Sequence, residues 1–257
     1  MEKVLTGFHA IEERVIHAAK SPDGTKGLRI LYSAPGPRVK KIVAQAQRVG
    51  IICTLVASAE LDARTKNLPS SVRDHRGIVL LISRTSGQQG NVTAFDEWIL
   101  TQQDSSARAT VLVLDSVTDP YNVGAIIRSA DQFGASLVVM PEARSVRNVA
   151  QNEVVARASA GASAWVPLAV VPNLVRAVAS LKEVGFWIYG ADACGTPVPN
   201  VDFAEKTVIV LGSEGNGIAK LLAAQCDMLI SIPTRGTVDS LNVSVAAGVL
   251  LYARNVR

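Results

Sequence analysis

Cysteine is scarce in this chain of 257 residues, which has only Cys53, Cys194 and Cys226. Because they are odd in number and far apart, they exclude the disulfide framework of a small secreted domain and a cysteine-rich metal site. We expect reduced thiols or core residues of a cytoplasmic protein. No apolar run reaches about 18 residues, so no membrane span is expected. Charged residues close to Met1 leave no apolar stretch, so no signal peptide is expected either.

Two signatures of nucleotide-binding enzymes are absent as well. The chain has no G-x-x-x-x-G-K-[ST] sequence, and no G-x-G-x-x-G sequence follows a strand-like segment. What the chain does have is apolar character, because 48% of its residues are hydrophobic and 19% are charged. This composition indicates a well-buried globular protein with one large domain or two modest ones.

The formal net charge of +4 is unevenly distributed along the chain. Residues 1–83 carry 13 Lys and Arg against 7 Asp and Glu, a balance of +6. Residues 84–110 and residues 111–257 each have a balance of −1. An excess of positive charge at the N-terminal end would attract a phosphate backbone. An ordinary solvated surface explains the same bias, and both interpretations stay open.

The first part of the chain alternates between strand and helix patterns. Short helices are predicted between strands at residues 28–32, 51–56 and 77–82. This alternation indicates a small α/β sandwich.

A change of composition marks the predicted domain boundary. Residues 84–109 are polar, with one helical stretch near residues 95–100, which is typical of a linker. We therefore predict a first domain over residues 1–83, a linker over residues 84–109 and a second domain over residues 110–257.

The second domain has strands that are apolar on both faces, with helices between them. The strands are predicted at residues 111–114, 137–140, 186–189, 207–211 and 228–232. Continuous apolar strands that alternate with helices are typical of a parallel sheet covered on both sides. A last helix, apolar almost all round from Val243 to Leu251, is predicted to be buried.

Three segments of the second domain follow strand-like runs. They read D-P-Y-N-V-G-A-I-I-R over residues 119–128, L-G-S-E-G-N-G-I over residues 211–218 and I-P-T-R-G-T-V-D-S-L-N-V-S-V-A from residue 232. In their order along the chain and in their amino-acid sequence, they resemble the signature motifs of the SpoU (TrmH-like) family of RNA ribose 2′-O-methyltransferases of the SPOUT class. The string Gly7-Phe8-His9-Ala10-Ile11-Glu12 resembles the opening of the rRNA-directed members, and His75-Arg76-Gly77 resembles the substrate-binding domain of the family.

The resemblance implies a fold and a set of partners. A SPOUT domain is a parallel α/β sheet with a C-terminal trefoil knot, and its knot loops bind S-adenosylmethionine as methyl donor without a metal ion. In the rRNA-directed members a small α/β RNA-binding domain, which resembles a ribosomal protein, precedes it. The knotted domains form homodimers. We therefore expect RNA, S-adenosylmethionine and a second copy of the chain as partners.

The resemblance also implies a catalytic set, which consists of Asn122, Arg128, Glu214, Ser240 and Asn242. Methyl transfer to a ribose hydroxyl needs an aligned oxygen, removal of its proton and stabilisation of the alkoxide. Arg128 suits the last task, because a guanidinium keeps its positive charge and is a poor base. Asn122 would hold the loop or Arg128 by hydrogen bonds. A salt-bridged helix arginine at Arg128 and a helix cap at Ser240 are the alternative interpretations.

Two further groups of residues follow from the resemblance. The methyl donor is expected to contact residues at strand ends and in the third motif, namely Gly190, Ala191, Leu211, Gly212, Ile232 and Leu241. RNA is expected to contact His75 and Arg76 of the first domain. A lone histidine is also common as a cap or a surface residue, so the role of His75 stays open.

The leading interpretation is methyl transfer from S-adenosylmethionine to a ribose 2′-OH in RNA. We expect 23S ribosomal RNA as substrate, because tRNA-directed members usually lack the additional N-terminal domain. An antibiotic-resistance rRNA 2′-O-methyltransferase and a tRNA 2′-O-methyltransferase are alternatives with the same motifs. A non-catalytic RNA-binding SPOUT protein is an alternative of another class, and the intact motifs argue against it.

Overall fold

The structure is a computed structural model that describes residues 3–19, 25–33, 35–68, 70, 72–83, 91–213, 215–237 and 240–256. The chain forms two compact units. The first comprises Met1–Gly90 and Asn148–Trp165, and the second comprises Asn91–Arg147 and Val166–Arg257. None of the described helices is long and apolar enough to cross a membrane.

The first unit is built on a four-stranded sheet. Its strands are β1 (Lys3–Leu5), β2 (Leu28–Tyr32), β3 (Ile52–Leu55) and β4 (Ile78–Ile82). They lie in the order β1-β4-β2-β3, with β2 and β3 parallel and the other pairs antiparallel. The sequence analysis did not predict β1, which is only three residues long and pairs with β4 far along the chain.

Helices cover both faces of this sheet. On one face α1 (Phe8–Ala18) and α2 (Pro37–Arg48) pack against alternate residues of β2 and β4, such as Ile30 and Leu80. On the other face α3 (Ser58–Thr65) packs through Leu61. Because successive strand residues point to opposite faces, one apolar strand can pack against the helices on both faces of the sheet.

The unit boundaries differ from the predicted domain boundaries. Residues 148–165, predicted to belong to the second domain, pack in the first unit, where the Trp165 ring stacks on the His17 ring with 4.4 Å between centroids. This segment contains α6 (Glu153–Ala158), whose Ala156 joins the core beneath α1. The sequence of an apolar helix does not indicate which of two hydrophobic cores the helix will pack against.

The predicted linker also differs. Residues 84–90 lie outside the described residues. Beyond them, α4 (Phe95–Gln102) belongs to the second unit, and its apolar side chains Phe95, Trp98 and Ile99 pack against the core of that unit.

The second unit contains a six-stranded sheet in the order β10-β8-β9-β5-β6-β7. All five neighbouring pairs are parallel, which confirms the predicted parallel α/β fold. The strands are β5 (Ala109–Leu114), β6 (Leu137–Pro141), β7 (Leu168–Val171), β8 (Trp187–Pro197), β9 (Lys206–Leu211) and β10 (Met228–Ser231). The helices besides α4 are α5 (Pro120–Gln132), α7 (Leu174–Glu183), α8 (Lys220–Ala223) and α9 (Val243–Asn255).

Two elements of the second unit depart from their predictions. Strand β8 continues to Pro197 and shifts its register against β10, because Gly190 lies opposite Leu229 while Thr196 lies opposite Ile230. The prediction that α9 is buried all round is wrong on one face, where Val245, Val249, Tyr252 and Val256 are exposed.

Candidate active site

The first motif forms the start of α5, directly after the buried strand β5. Asp119 is the N-cap, and its carboxylate accepts a hydrogen bond from the Tyr121 N–H at 3.1 Å. Pro120 follows at the first helical position, where its fixed φ suits the helix and its missing N–H costs nothing. Asn122 is thereby fixed in the first turn, at the carboxyl edge of the sheet.

The third motif forms the start of α9, and its cap is Asn242. The Asn242 Oδ1 accepts hydrogen bonds from the Ser244 N–H at 2.9 Å and from the Val245 N–H at 3.4 Å. The Asn242 Nδ2 donates to the Asn122 Oδ1 at 3.0 Å. The structure therefore brings together two members of the predicted catalytic set that lie in different motifs.

Arg128 lies on α5 but not beside this amide pair. A separation of six residues from Asn122 corresponds to about 9 Å along the helix axis and roughly 120° around it. Arg128 is exposed, and no described residue pairs with its guanidinium group. It shares its helix face with the exposed Tyr121, seven residues earlier. The guanidinium is thus available to a ligand that approaches from solvent.

The remaining two members of the catalytic set are less informative. Ser240 is exposed and lies two residues before the true cap, so the alternative interpretation of Ser240 as N-cap is wrong. Glu214 lies outside the described residues.

The second motif follows β9 as a tight loop around Gly212. A Cβ at Gly212 would lie 2.0 Å from the backbone carbon of Gly217 and 2.3 Å from the backbone nitrogen of Ile218. Ser213 and Gly217 close the loop with reciprocal backbone hydrogen bonds of 3.1 and 3.0 Å. Gly212 is therefore required because the returning chain leaves no room for a side chain.

A buried carboxylate that the sequence analysis missed connects this loop to the first motif. Asp115 directly follows β5, and its Oδ2 accepts from the Ala219 N–H at 2.8 Å while its Oδ1 accepts from the Ser116 hydroxyl at 3.0 Å. Asp115 thus ties the end of β5 to the residue that precedes α8. An acidic residue directly after the apolar run at residues 111–114 was the available signal.

The residues predicted to contact the methyl donor lie within β8, at the end of β9 and in the segments that follow β9 and β10. Gly190 pairs with Val210 of β9 and with Leu229 of β10, and Leu211 ends β9. Leu211 is buried and Ile232 and Ala191 are half-buried, whereas Leu241 is 37% exposed. These side chains are apolar, as a surface that contacts a nucleoside base should be.

Neighbouring side chains explain Gly190, and close backbone packing explains a second glycine that was missed. A Cβ at Gly190 would lie 2.8 Å from the Cys226 Sγ and 2.9 Å from the Leu229 Cδ2. A Cβ at Gly195 would lie 2.5 Å from the backbone nitrogen of Ile230. The Gly195 carbonyl oxygen accepts a hydrogen bond from the Ser231 hydroxyl at 2.8 Å. Both glycines allow β8 and β10 to approach each other beside the predicted donor site.

The two predicted RNA contacts lie in the first unit, in the loop before β4. The Gly77 N–H donates to the His75 Nδ1 at 2.9 Å, so the neutral ring carries its proton on Nε2, which donates to the Asp62 carboxylate at 3.1 Å. Arg76 pairs with Asp74 at 3.2 Å. The geometry gives His75 a structural role in this loop, and its contact with RNA stays a prediction.

All three cysteines are free thiols. Burial raises the pKa of Cys53 and of Cys226 to about 11, while Cys194 is exposed. Among the residues that the structure describes, no three His, Cys, Asp or Glu side chains converge as a metal site would require.

Comparison with known proteins identifies the family of this chain. Residues 109–252 match the SpoU rRNA methylase family. Over 251 residues the chain is 36% identical to the 23S rRNA (guanosine-2′-O-)-methyltransferase RlmB of Bordetella pertussis, which covers 97% of this chain and 95% of that protein. Over 252 residues it is 34% identical to a protein of Staphylococcus haemolyticus that is named as a TrmH family tRNA/rRNA methyltransferase. This match covers 97% of this chain and 93% of that protein.

The fold matches solved structures as well. The SpoU methyltransferase AviRb of Streptomyces viridochromogenes, in complex with AdoMet, superimposes with a TM-score of 0.67 at 21% identity, over 98% of this chain and 89% of that one. Because the family match covers more than half of the chain and the relatives cover nearly all of it, the chain belongs to the SpoU rRNA methylase family.

Proposed function

We propose that this chain, an S-adenosylmethionine-dependent RNA 2′-O-methyltransferase, modifies a ribose of 23S ribosomal RNA in the cytoplasm. The reaction breaks the bond between sulfur and methyl in the donor, forms a bond between methyl and the ribose 2′-oxygen and releases the hydroxyl proton. The relative named RlmB, similar along 97% of this chain, supports the choice of 23S RNA.

The observation that carries the proposal is the hydrogen bond between Asn242 and Asn122. It joins the first and third motifs at the carboxyl edge of a parallel sheet, which is where ligands bind in folds of this type. We assign to this pair the positioning of the ribose against the donor. Ser240 and Glu214 complete the set in this proposal.

The apolar edge formed by Ala191, Leu211, Ile232 and Leu241 fits the adenosine part of the donor. When bound, the donor supplies an activated methyl group. A knotted C-terminal segment that contains the loops after β9 and β10 belongs to the same proposal. It is supported by β10 lying outside β8 and by the close passage of Gly195 against β10.

The Arg128 guanidinium stabilises the negative charge that develops on the ribose oxygen. Its exposed guanidinium lies on the same helix as Asn122 and has no described partner to neutralise it. A guanidinium stays protonated at any accessible pH, so it stabilises the alkoxide while the proton passes to water or to a neighbouring phosphate.

A homodimer is part of the proposal, with α9 at its interface. Val245, Val249, Tyr252 and Val256 recur at helical spacing and are exposed, at 50% for Val245 and 57% for Tyr252. Contiguous apolar residues on a helix surface indicate a contact with another protein chain. A second copy would cover this face beside the amide pair that begins the same helix.

The domain assignment extends the proposal to substrate capture. We assign RNA binding to residues 1–83, which hold the positive balance of +6, and methyl transfer to the second unit. The 34% identical relative, which is named as a tRNA/rRNA enzyme, leaves tRNA as the competing substrate to be tested.

Methyl transfer from radiolabelled S-adenosylmethionine to unmodified RNA tests the proposal. With 23S RNA, 16S RNA and tRNA offered separately, label should enter 23S RNA at one ribose, mapped by its resistance to alkaline cleavage. If label entered tRNA alone, the substrate would be tRNA and not 23S RNA. Donor binding without transfer to any RNA would instead support the non-catalytic alternative.

A further inference from the structure

Helix α2 of the first unit exposes a face on which basic side chains predominate. We call this face the α2 basic face and define it by its exposed residues Lys40, Lys41, Ala44, Gln47 and Arg48. At 100° per residue these positions fall within an arc of about 120°. The opposite face buries Val39, Ile42, Val43 and Ala46 in the core, which fixes the direction in which the basic face points.

This helix holds most of the local charge excess. Its 12 residues contain four basic and no acidic side chains, whereas the whole of residues 1–83 has a balance of +6. One of the four, Arg38, contacts α1, because it pairs with Glu12 at 3.0 Å and its guanidinium lies 5.1 Å from the centre of the Phe8 ring. Arg38 therefore anchors α2 to the unit.

Within the part of the chain that the structure describes, no neighbour neutralises the other three basic residues. No described carboxylate pairs with Lys40, Lys41 or Arg48. Two basic residues elsewhere in the unit differ, since Arg64 lies 4.0 Å from Glu60 and Arg76 pairs with Asp74. Positive charge is thus concentrated on one helix face and partly neutralised on others.

We propose that the α2 basic face binds the phosphate backbone of the RNA substrate. The inference rests on the proposed function for the identity of the RNA and adds the surface that captures it. From Lys40 to Arg48, at i and i+8, the face extends for about 12 Å along the helix. A face of this length can follow consecutive phosphates, with lysine and arginine as charged donors and Gln47 as a donor to phosphate or ribose oxygens. Ala44 lies between Lys40 and Arg48, and its short side chain leaves room for the RNA backbone to come close to the helix.

The composition of the face determines the kind of binding. It contains no aromatic side chain on which a base could stack, so contacts go to the backbone and carry no sequence information. Its one apolar side chain is the methyl group of Ala44, which is too small to insert into a lipid bilayer as the large apolar residues of membrane-binding helices do. The face therefore increases affinity for RNA, while the selection of the ribose takes place at the active site.

Single Lys40→Gln, Lys41→Gln and Arg48→Gln variants and their triple combination test the inference, since glutamine keeps a long side chain and suits a helix. Lys66→Gln is the matched control. Lys66 is exposed at the end of α3, and α3 packs on the opposite face of the sheet. Binding of 23S RNA is measured over a series of salt concentrations, and methyl transfer is measured at varied RNA concentration.

Each α2 variant should weaken RNA binding and lower the slope of log K against log salt by roughly 0.7–0.9, the value for one phosphate contact. The KM for RNA should rise while kcat and donor affinity stay unchanged, and Lys66→Gln should resemble the wild type. Unchanged RNA affinity and salt slope in the triple variant would overturn the inference even when the wild type methylates RNA. Binding of the wild type, but not the triple variant, to phosphatidylserine vesicles together with undiminished RNA binding would assign the face to a membrane instead. A wild type that binds RNA through this face and transfers no methyl group would contradict the proposed function alone.

Discussion

The side-chain amide of Asn242 caps α9 and at the same time donates to the Asn122 Oδ1 at 3.0 Å, a contact between residues 120 positions apart in the chain. The cap fixes the orientation of this amide. Oδ1 has to face the backbone N–H groups of the first helical turn, so Nδ2 is left to face α5. Asn122 consequently presents its oxygen to Asn242 and turns its Nδ2 away from it.

Replacement of Asn242 should separate stability from activity. Asn242→Ala removes both the cap and the contact with Asn122, so it should lower the free energy of unfolding by about 1 kcal/mol, within the 0.5–2 kcal/mol of a lost cap. Asn242→Ser keeps a capping oxygen but is too short to reach Asn122, so its stability should stay near that of the wild type. Both variants should slow methyl transfer by about 10- to 100-fold, because the reacting ribose is no longer aligned.

Asn173 provides the control for this experiment. It caps α7 through its Oδ1, which accepts from the Arg176 N–H at 3.1 Å, and it belongs to none of the motifs. Asn173→Ala should lower stability as Asn242→Ala does and leave transfer unchanged. Equal transfer rates in Asn242→Ser and the wild type would show that the contact with Asn122 has no role in positioning.

Alanine substitution at two glycines should have opposite effects. Gly212→Ala places a Cβ 2.0 Å from the backbone of Gly217, so the loop has to move and donor binding and thermal stability should both fall. Gly248→Ala on α9 meets only the Ser129 Oγ at 3.5 Å, an ordinary contact, and should stabilise the helix by up to about 1 kcal/mol. Thermal unfolding measures the stability of both variants, and calorimetry with S-adenosylmethionine measures their donor affinity. Full donor affinity in Gly212→Ala would mean that this loop does not form the donor site.

The parallel sheet could be predicted because its strands follow local patterns, and the three motifs could be located because their sequences resemble those of a known family. Apolar strands such as β5 and β9 are continuous, and the residues that follow them are polar or glycine. The alternative interpretation placed the cap of α9 at Ser240, whereas the cap is Asn242, since either residue type caps a helix and only the course of the chain decides between them. The role of Gly195 was missed because it results from its approach to β10, which is distant in sequence.

The thiols should differ in reactivity at mildly alkaline pH. The thiolate is the reactive form, and a thiol with a pKa of about 11, as burial produces for Cys53 and Cys226, is only roughly 1% thiolate at pH 9. Cys194 is exposed and should be alkylated first. Labelling of Cys53 and Cys226 should accelerate as the pH rises from 9 towards 11. Peptide mass mapping after timed iodoacetamide treatment checks the order, which rapid labelling of Cys226 at pH 8 would contradict.

Charge on the exposed face of α9 should prevent dimerisation. Val249→Glu and Val245→Glu put a carboxylate among the apolar residues proposed to meet a second copy, where its desolvation would be costly. Both variants should sediment as monomers. Leu100→Glu is the control, because Leu100 on α4 is equally apolar and 63% exposed but lies outside this face. Unchanged dimers in both α9 variants would place the interface elsewhere, and a monomeric wild type would remove the dimer from the proposal.

Arg128→Ala should impair the chemical step and leave donor binding intact. The residue lies on α5 and is not among the residues assigned to the donor, so donor affinity should stay within a few-fold of the wild type. Methyl transfer should fall by roughly a hundredfold or more, as when one preorganised charge-stabilising donor is lost. Arg128→Lys keeps the charge without the planar fork and should restore activity only in part. Arg176→Ala, another exposed helix arginine of the same unit, should behave as the wild type. Single-turnover transfer at saturating RNA and donor separates chemistry from binding. A near-normal rate in a folded Arg128→Ala variant would remove Arg128 from the mechanism and make Glu214 the next candidate.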